Sequence, residues 1–335
     1  MTQLGMKKIV CLIPPHYDFL CASIIDGLKQ LDCRLYCNER INNSTEKEYT
    51  LFKDLLLRCK ESDFILLFSN TNYSTRKQYI IDNFLAKKTV YIDGSDTGFP
   101  EDPSALNIFS TCFKRESYYL RFALKSIIDH KHILDSMRRL KRYYLYNRRM
   151  WPLPFAAEPF YFNYTREGVE KDINISCTLV PRGWGVRESI NELVRNLNIS
   201  NTVVGSITKG NAITGSDDKS KEEYFRVLAR SKISIAYPGG GFDTGRFWEI
   251  LASQALLFSP PIRIKMPRPF LEFKHFVPYN NLSQLKTRLL YYLDHEQERK
   301  RIADAGYRHL LKYHTTKERA KYLLDMILRR IESRA

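Results

Sequence analysis

Residues 231–259 read SKISIAYPGGGFDTGRFWEILASQALLFS, and the fold follows from this stretch. Lys232–Tyr237 is a short β-rich run. Pro238-Gly239-Gly240-Gly241 ends it, with Asp243 close behind. Gly245–Ala252 reads as a helix and Ala255–Ser259 as another buried strand. Strand, glycine-rich loop, helix and strand make one βαβ unit. Such a unit sets backbone N–H groups and a helix N-terminus at the edge of a parallel sheet, where anions bind.

The same rhythm extends outward in both directions. Upstream, Asn174–Val180 reads as a strand, Val186–Leu197 as a helix, Thr202–Gly205 as a strand and Glu222–Arg230 as a helix. Downstream, His275–Tyr279 is a short strand, and Leu285–Leu293, Gln297–Leu311 and Lys317–Ile331 are amphipathic helices. The N-terminal half alternates in the same way. Lys8–Pro14, Arg34–Cys37, Phe64–Phe68 and Thr89–Ile92 are strands, with Ile108–Phe113 a fifth. Asp18–Leu31, Leu51–Cys59 and Tyr79–Leu85 are the helices between them. Phe64–Phe68 is apolar throughout, as strands covered on both faces are. The expected fold class is α/β, with two Rossmann-like doubly wound domains. Residues 1–150 form the first domain and 169–316 the second. Residues 151–168, marked by Pro152, Pro154 and Pro159, are the linker, and 317–335 is a C-terminal helix.

Length and composition suit this reading. The chain has 335 residues, enough for two ordinary domains. Apolar content of 44%, with 19 Phe and 21 Tyr, excludes wholesale disorder. The formal charge of +16 favours an anionic partner: a phosphorylated ligand, an anionic membrane surface or nucleic acid. Seven cysteines occur without any C-x-x-C pair, which points to free buried thiols in a reducing, cytoplasmic setting. No apolar run reaches the ~18 residues of a spanning helix. Basic residues and tyrosines alternate from His130 to Arg149. They form either a solvated face or a surface for an anionic membrane or acceptor.

Residues 240–252, GGFDTGRFWEILA, resemble the C-terminal domain of group 1 glycosyltransferases, in its spore-maturation-protein-like branch. Ala303–His309, His314-Thr315-Thr316 with Arg319-Ala320, and Ile92–Asp96 resemble the same branch. The likeness covers most of 170–325 and only loosely the first half. It implies a GT-B architecture, two Rossmann-like domains facing a cleft, with the C-terminal helix packing back across it. It also implies a nucleotide-sugar donor bound by the second domain. A diphosphate takes a helix N-terminus and Arg or Lys; ribose hydroxyls take a fixed carboxylate. Glu249, about one turn into the helix, is the expected ribose ligand, with an ion pair to Arg246 as the alternative. Arg182 and Arg187 match an Arg and Lys that bind the diphosphate in relatives; otherwise they are surface residues at a helix start. Lys209 is a weaker phosphate ligand. Gly240, Gly241, Phe242, Thr244, Gly245 and Arg246 complete the donor loop.

The resemblance also marks a departure. Retaining relatives carry a glutamate eight residues before the ribose glutamate, and that position here is Gly241. Asp243 either takes over contacts to the donor sugar or caps the helix N-terminus, as Thr244 also can. On the acceptor side, His16 in the loop after the first strand is the expected general base. Asp18 either orients it or caps the next helix. Asp93 and Asp96 serve a turn. His275, His309 and His314 read as packing or surface residues. No metal site and no cofactor are expected. The acceptor is a hydroxyl of a glycan, a lipid-linked or a protein-linked molecule, and a peripheral contact with an anionic membrane fits the charge. Two other classes stay open: a non-enzymatic nucleic-acid-binding protein, for which no recognised module appears, and a catalytically dead GT-B scaffold.

Overall fold

The computed structural model describes residues 7–13, 18–37, 50–51, 55–69, 73–120, 122, 140–146, 148–165, 169–181, 185–207 and 218–332. The chain divides into two compact units. The first holds Met1–Ala156, Arg263–Pro267 and Thr316–Ala335; the second holds Ala157–Ile262 and Arg268–Thr315.

The first unit is built on a parallel sheet of β1 (Lys8–Leu12), β2 (Arg34–Cys37), β3 (Thr50–Leu51), β4 (Phe64–Ser69), β5 (Thr89–Asp93), β6 (Thr111–Lys114) and β7 (Met150–Pro152). Their order is β3-β2-β1-β4-β5-β6-β7. The chain steps outward from β1 and then returns to β4 on its other side, which is the doubly wound pattern. Register is direct, with Val10 opposite Ile65. Successive side chains of a strand point to opposite faces. Ile9, Cys11 and Ile13 therefore join one buried cluster, and Val10 and Leu12 another. Both faces are covered, which explains why β1 and β4 are apolar at almost every position.

Helix α1 (Phe19–Lys29) covers one face. Asp18 is its N-cap, accepting from the Cys21 N–H at 2.7 Å. The turn residue Asp93 is buried and accepts from Ser95, from the Glu101 N–H and from Lys114 at 2.8 Å. Helices α2 (Leu55–Glu61), α3 (Tyr73–Asp82) and α4 (Ala105–Ile108) complete the alternation. The expected strand 108–113 starts later, because 105–108 is helical. Residues 151–168, expected as the linker, carry regular structure: Trp151 and Pro152 lie in edge strand β7, and Pro159–Tyr164 is a 3-10 helix. Prolines are tolerated in an edge strand, where one N–H need not enter the ladder.

The second unit has a parallel sheet of β8 (Ile173–Cys177), β9 (Thr202–Val204), β10 (Ser231–Ile235), β11 (Leu256–Ser259) and β12 (Val277–Pro278), in the order β12-β11-β10-β8-β9. Its strand order reverses between β8 and β10. Helices α5 (Gly185–Asn196), α6 (Asp218–Arg230), α7 (Gly245–Ala252), α8 (Leu282–Asp294) and α9 (Glu296–Tyr313) pack on it. Ile175, Ile233, Leu256 and Phe258 share a cluster with Ile190, Leu285, Leu289 and Ile302. Each such side chain contributes ~1.5–3 kcal/mol on burial.

The C-terminal helix α10 (Thr316–Glu332) belongs to the first unit and packs on α1. Gly27 makes this possible. A Cβ there would stand 2.1 Å from the Thr316 carbonyl oxygen. The Thr316 hydroxyl donates to Asp26 at 2.5 Å and accepts from Gln30 at 3.0 Å. Gly27→Ala is therefore expected to lower stability by about 1–3 kcal/mol, the range for an overpacked contact. Urea denaturation measures it, and an unchanged midpoint would contradict the close approach.

Candidate functional site

In open parallel sheets ligands bind beyond the carboxyl ends of the strands, where strand order reverses. In the second unit that place lies between β8 and β10. Thr178–Val180 leaves β8 there, and Ala236–Thr244 leaves β10 and enters α7. The glycine-rich turn is closed by the Gly239 N–H donating to the Gly241 carbonyl at 3.0 Å.

Arg187 of α5 ties the two loops together. Its guanidinium donates to the carbonyls of Val180 at 3.0 Å, Tyr237 at 3.1 Å and Pro238 at 3.0 and 3.2 Å. Gly239 lies directly against it: a Cβ would come within 3.0 Å of an Arg187 nitrogen. Arg187 thus grips main-chain carbonyls of the loop where the sequence suggested a phosphate ligand or a surface residue. A guanidinium suits this work because its donors are planar and fixed in direction.

Glu249 lies on the first full turn of α7 and is buried. Its Oε2 accepts from the Tyr224 hydroxyl of α6 at 2.5 Å, and its Oε1 has no hydrogen-bond partner among the described residues. Burial pushes the carboxyl above its ordinary pKa, while the neighbouring Arg246 and the Tyr224 hydrogen bond pull it back. Arg246 bonds the carbonyl and hydroxyl of Thr178 and lies over the Tyr224 ring, 5.5 Å from its centroid. The alternative ion pair between Arg246 and Glu249 does not form. Glu249, Tyr224, Arg246 and Thr178 are instead one hydrogen-bonded and cation–π set at the switch point.

Asp243 is buried as well. Its Oδ1 accepts from the Trp248 indole N–H at 2.9 Å. The N-cap position of α7 is Thr244, whose side chain makes no capping bond. Gly241 and Phe242 are buried, Gly240 is exposed, and Thr244, Gly245 and Arg246 are half-buried.

Residues 186–325 match the family described as "Glycosyl transferase-like". No curated protein sequence matches the chain significantly. Solved structures resemble it over almost its whole length. A glycosyltransferase from Rickettsia africae ESF-5 matches with a TM-score of 0.57 at 10% identity, covering 98% of this chain and 99% of that one. Anabaena Alr3699/HepE in complex with UDP matches with a TM-score of 0.57 at 9% identity, covering 96% and 99%. The chain has the GT-B fold. The GT-B likeness extends to a UDP-N-acetylglucosamine 2-epimerase, with a TM-score of 0.51 at 11% identity over 97% of this chain and 96% of that one. Fold alone therefore does not fix the reaction, and the site must carry it.

Within this GT-B chain, His16, Arg182 and Lys209 lie outside the described residues. Two participants escape a reading of the sequence. Tyr224 sits on an amphipathic helix with nothing in its spacing to mark it. Thr178 had a signal, since it follows a strand at the point where strand order reverses. Among the described residues no group of three or more His, Cys, Asp or Glu is gathered to hold a metal ion, and no helix is long and apolar enough to cross a membrane. The seven cysteines are free, six of them buried and Cys33 partly so. Of the basic stretch, residues 130–139 lie outside the described residues. Arg149 bonds Asn107 and the Leu106 carbonyl, and Arg148 lies over Tyr144. These two arginines are held locally.

The histidines of the second unit pack together. His275 and His309 stack with centroids 4.2 Å apart, and His314 stacks on Phe270 at 4.6 Å. The His275 Nδ1 accepts from the Leu271 N–H at 3.0 Å. Burial, with His309 and Lys274 nearby, pushes the His275 pKa down to about 4. The folded pKa is below the ordinary value of 6.5, so the unfolded chain takes up the proton first as pH falls. The neutral ring's contribution is full above about pH 6.5 and is lost between there and about pH 4, amounting to about 3 kcal/mol. Melting temperature recorded across this window should fall, and fall less in His275→Phe. An identical profile in the variant would contradict the assignment.

Proposed function

We propose that the protein is a glycosyltransferase that binds a nucleotide-sugar donor on its second unit and transfers the sugar to a hydroxyl acceptor, on the spore-maturation-protein-like branch that residues 240–252 resemble. One observation carries the reading: the buried Glu249 carboxylate stands one turn into the helix after a glycine-rich loop, at the sheet's switch point, with one oxygen bonded to Tyr224. Its other oxygen accepts from the ribose hydroxyls. The diphosphate lies at the loop and the N-terminus of α7, beside Arg246 and with Arg182 and Lys209 as further cations. Positive groups and helix dipole stabilise the leaving diphosphate, so the reaction runs without a metal. Arg187 acts by holding the loop. On the acceptor side His16 takes the proton of the hydroxyl. The acceptor is a glycan or a lipid- or protein-linked molecule, reached at the inner face of an anionic membrane. UDP-glucose and UDP, bound by the Anabaena protein that shares the fold, are the first donor and the first nucleotide to try.

A screen of UDP, GDP, ADP and their nucleotide sugars by thermal shift tests this. A single base should raise the melting temperature, and the matching nucleotide sugar should raise it further. No shift at millimolar ligand would remove the reading. A second reading, a non-transferring GT-B scaffold, draws on Gly241 and on the tie between Asp243 and Trp248, which leaves the loop's one carboxylate buried. Donor binding without transfer to any acceptor or to water would favour it.

A further inference from the structure

The opposite edge of the second sheet holds a basic cavity that the donor site does not use. It has a volume of about 430 Å³ and lies at the amino ends of β8 and β10. Lys232 stands at the start of β10 and Pro238 beyond its end, so about 20 Å of extended chain separates the cavity from the glycine-rich loop. Four cations line it, Lys171, Lys232, Arg299 and Lys300, against two carboxylates, Glu296 and Asp304. Lys300 is paired with Glu296, and Asp304 with Arg308 at 2.5 Å. Three cations remain. Lys171 donates to the Ser253 carbonyl at 2.7 Å, and Lys232 to Asn174 at 2.7 Å; neither is in a salt bridge among the described residues. Arg299 is 5% exposed. Its Nη1 donates to the carbonyls of Tyr292 and Leu293, and its Nε and Nη2 have no hydrogen-bond partner among the described residues.

We propose that this cavity is a second binding site, for a small organic phosphate, separate from the donor site. Three cations lining one cavity, one of them a nearly buried guanidinium with donors to spare, match a phosphate dianion. The volume exceeds what inorganic phosphate fills and falls in the range of small-molecule pockets. Val169 and Ala303 give the organic part an apolar surface, and no aromatic ring among the lining residues offers a nucleobase a stack. A phosphorylated sugar fits better than a nucleotide.

Lys171 gives the site a pH signature. Burial pushes its pKa down to about 8. The groups that face it across the cavity are Lys232 of β10 and Glu296, Arg299, Lys300 and Asp304 of α9. A bound phosphate favours the protonated ammonium, so binding weakens as pH rises through 8. Arginine stays protonated there, and Lys171→Arg should hold its affinity where the wild type loses it.

The experiment titrates the full chain with glucose 6-phosphate, inorganic phosphate and UDP, reading melting temperature and calorimetric heat below and above pH 8. Glucose 6-phosphate should give a saturable rise, and inorganic phosphate a weaker one. Lys232→Ala and Lys171→Ala should each weaken it at least about tenfold. Both positions are half-buried, and the variants' own melting profiles show whether they fold. Three results would overturn the proposal: no saturable response up to about 10 mM, equal affinity in wild type and both lysine variants, or displacement of glucose 6-phosphate by UDP. The last would put both ligands in the donor site.

Discussion

Glu249→Ala should lower affinity for the nucleotide-sugar donor by about 10- to 100-fold, the loss of a charged hydrogen-bond acceptor worth ~1.5–3 kcal/mol. The change also strands the Tyr224 hydroxyl, which is buried and donates to Glu249 at 2.5 Å. A buried donor left without its acceptor costs ~1–3 kcal/mol, so the variant is expected to melt lower as well. Glu249→Gln separates the two effects. The amide oxygen keeps an acceptor for Tyr224 and preserves the fold. The amide nitrogen cannot accept from a ribose hydroxyl, and the negative charge beside Arg246 is gone. Donor affinity should therefore fall in Gln with little change in melting temperature, and fall further in Ala. A Gln variant with wild-type donor affinity would make Glu249 a structural residue that supports Tyr224.

Arg187→Ala should cost about 3 kcal/mol of stability, since it removes charged hydrogen bonds to three main-chain carbonyls. The loop after β8 and the glycine-rich loop after β10 lose their common anchor, so donor affinity should fall with it. Arg187→Lys keeps a charge but not the planar fork. An ammonium at one point cannot span Val180, Tyr237 and Pro238 together. If Arg187 were a direct phosphate ligand, Lys would restore much of the binding and Ala would leave stability untouched. If it holds the loop, Lys should rescue poorly and both variants should melt early. Denaturant unfolding and donor titration on the same samples distinguish these outcomes.

The parallel sheets were readable because their strands are covered on both faces. Ile9–Ile13 and Phe64–Phe68 must be apolar at successive positions, which marks them in any sequence. Helix α3 was caught only at its end, because its polar length buries only Tyr73 and Ile80 and shows little apolar periodicity. The strand Met150–Pro152 was hidden by Pro152 and by Pro154 just beyond it. Within the site, the glycine-rich loop and Glu249 were visible as a motif. The destinations of Arg187, Arg246 and Asp243 were not. Local spacing offers Arg246 a partner three residues on and Asp243 a capping role. A tertiary neighbour, Thr178, takes the arginine, and the Trp248 indole, five residues along the chain, takes the aspartate. The arginine's choice depends on which strand ends meet at the switch point, and no pattern along the chain encodes that directly.

The buried carboxylate of Glu249 is proposed to seat the ribose of a nucleotide-sugar donor. Calorimetric titration of wild type and Glu249→Gln with the donor found by the thermal-shift screen tests it most directly. A single saturable binding event is expected in the wild type, and at least about tenfold weaker binding in a Gln variant of unchanged melting temperature. Equal affinity in the two proteins would contradict it.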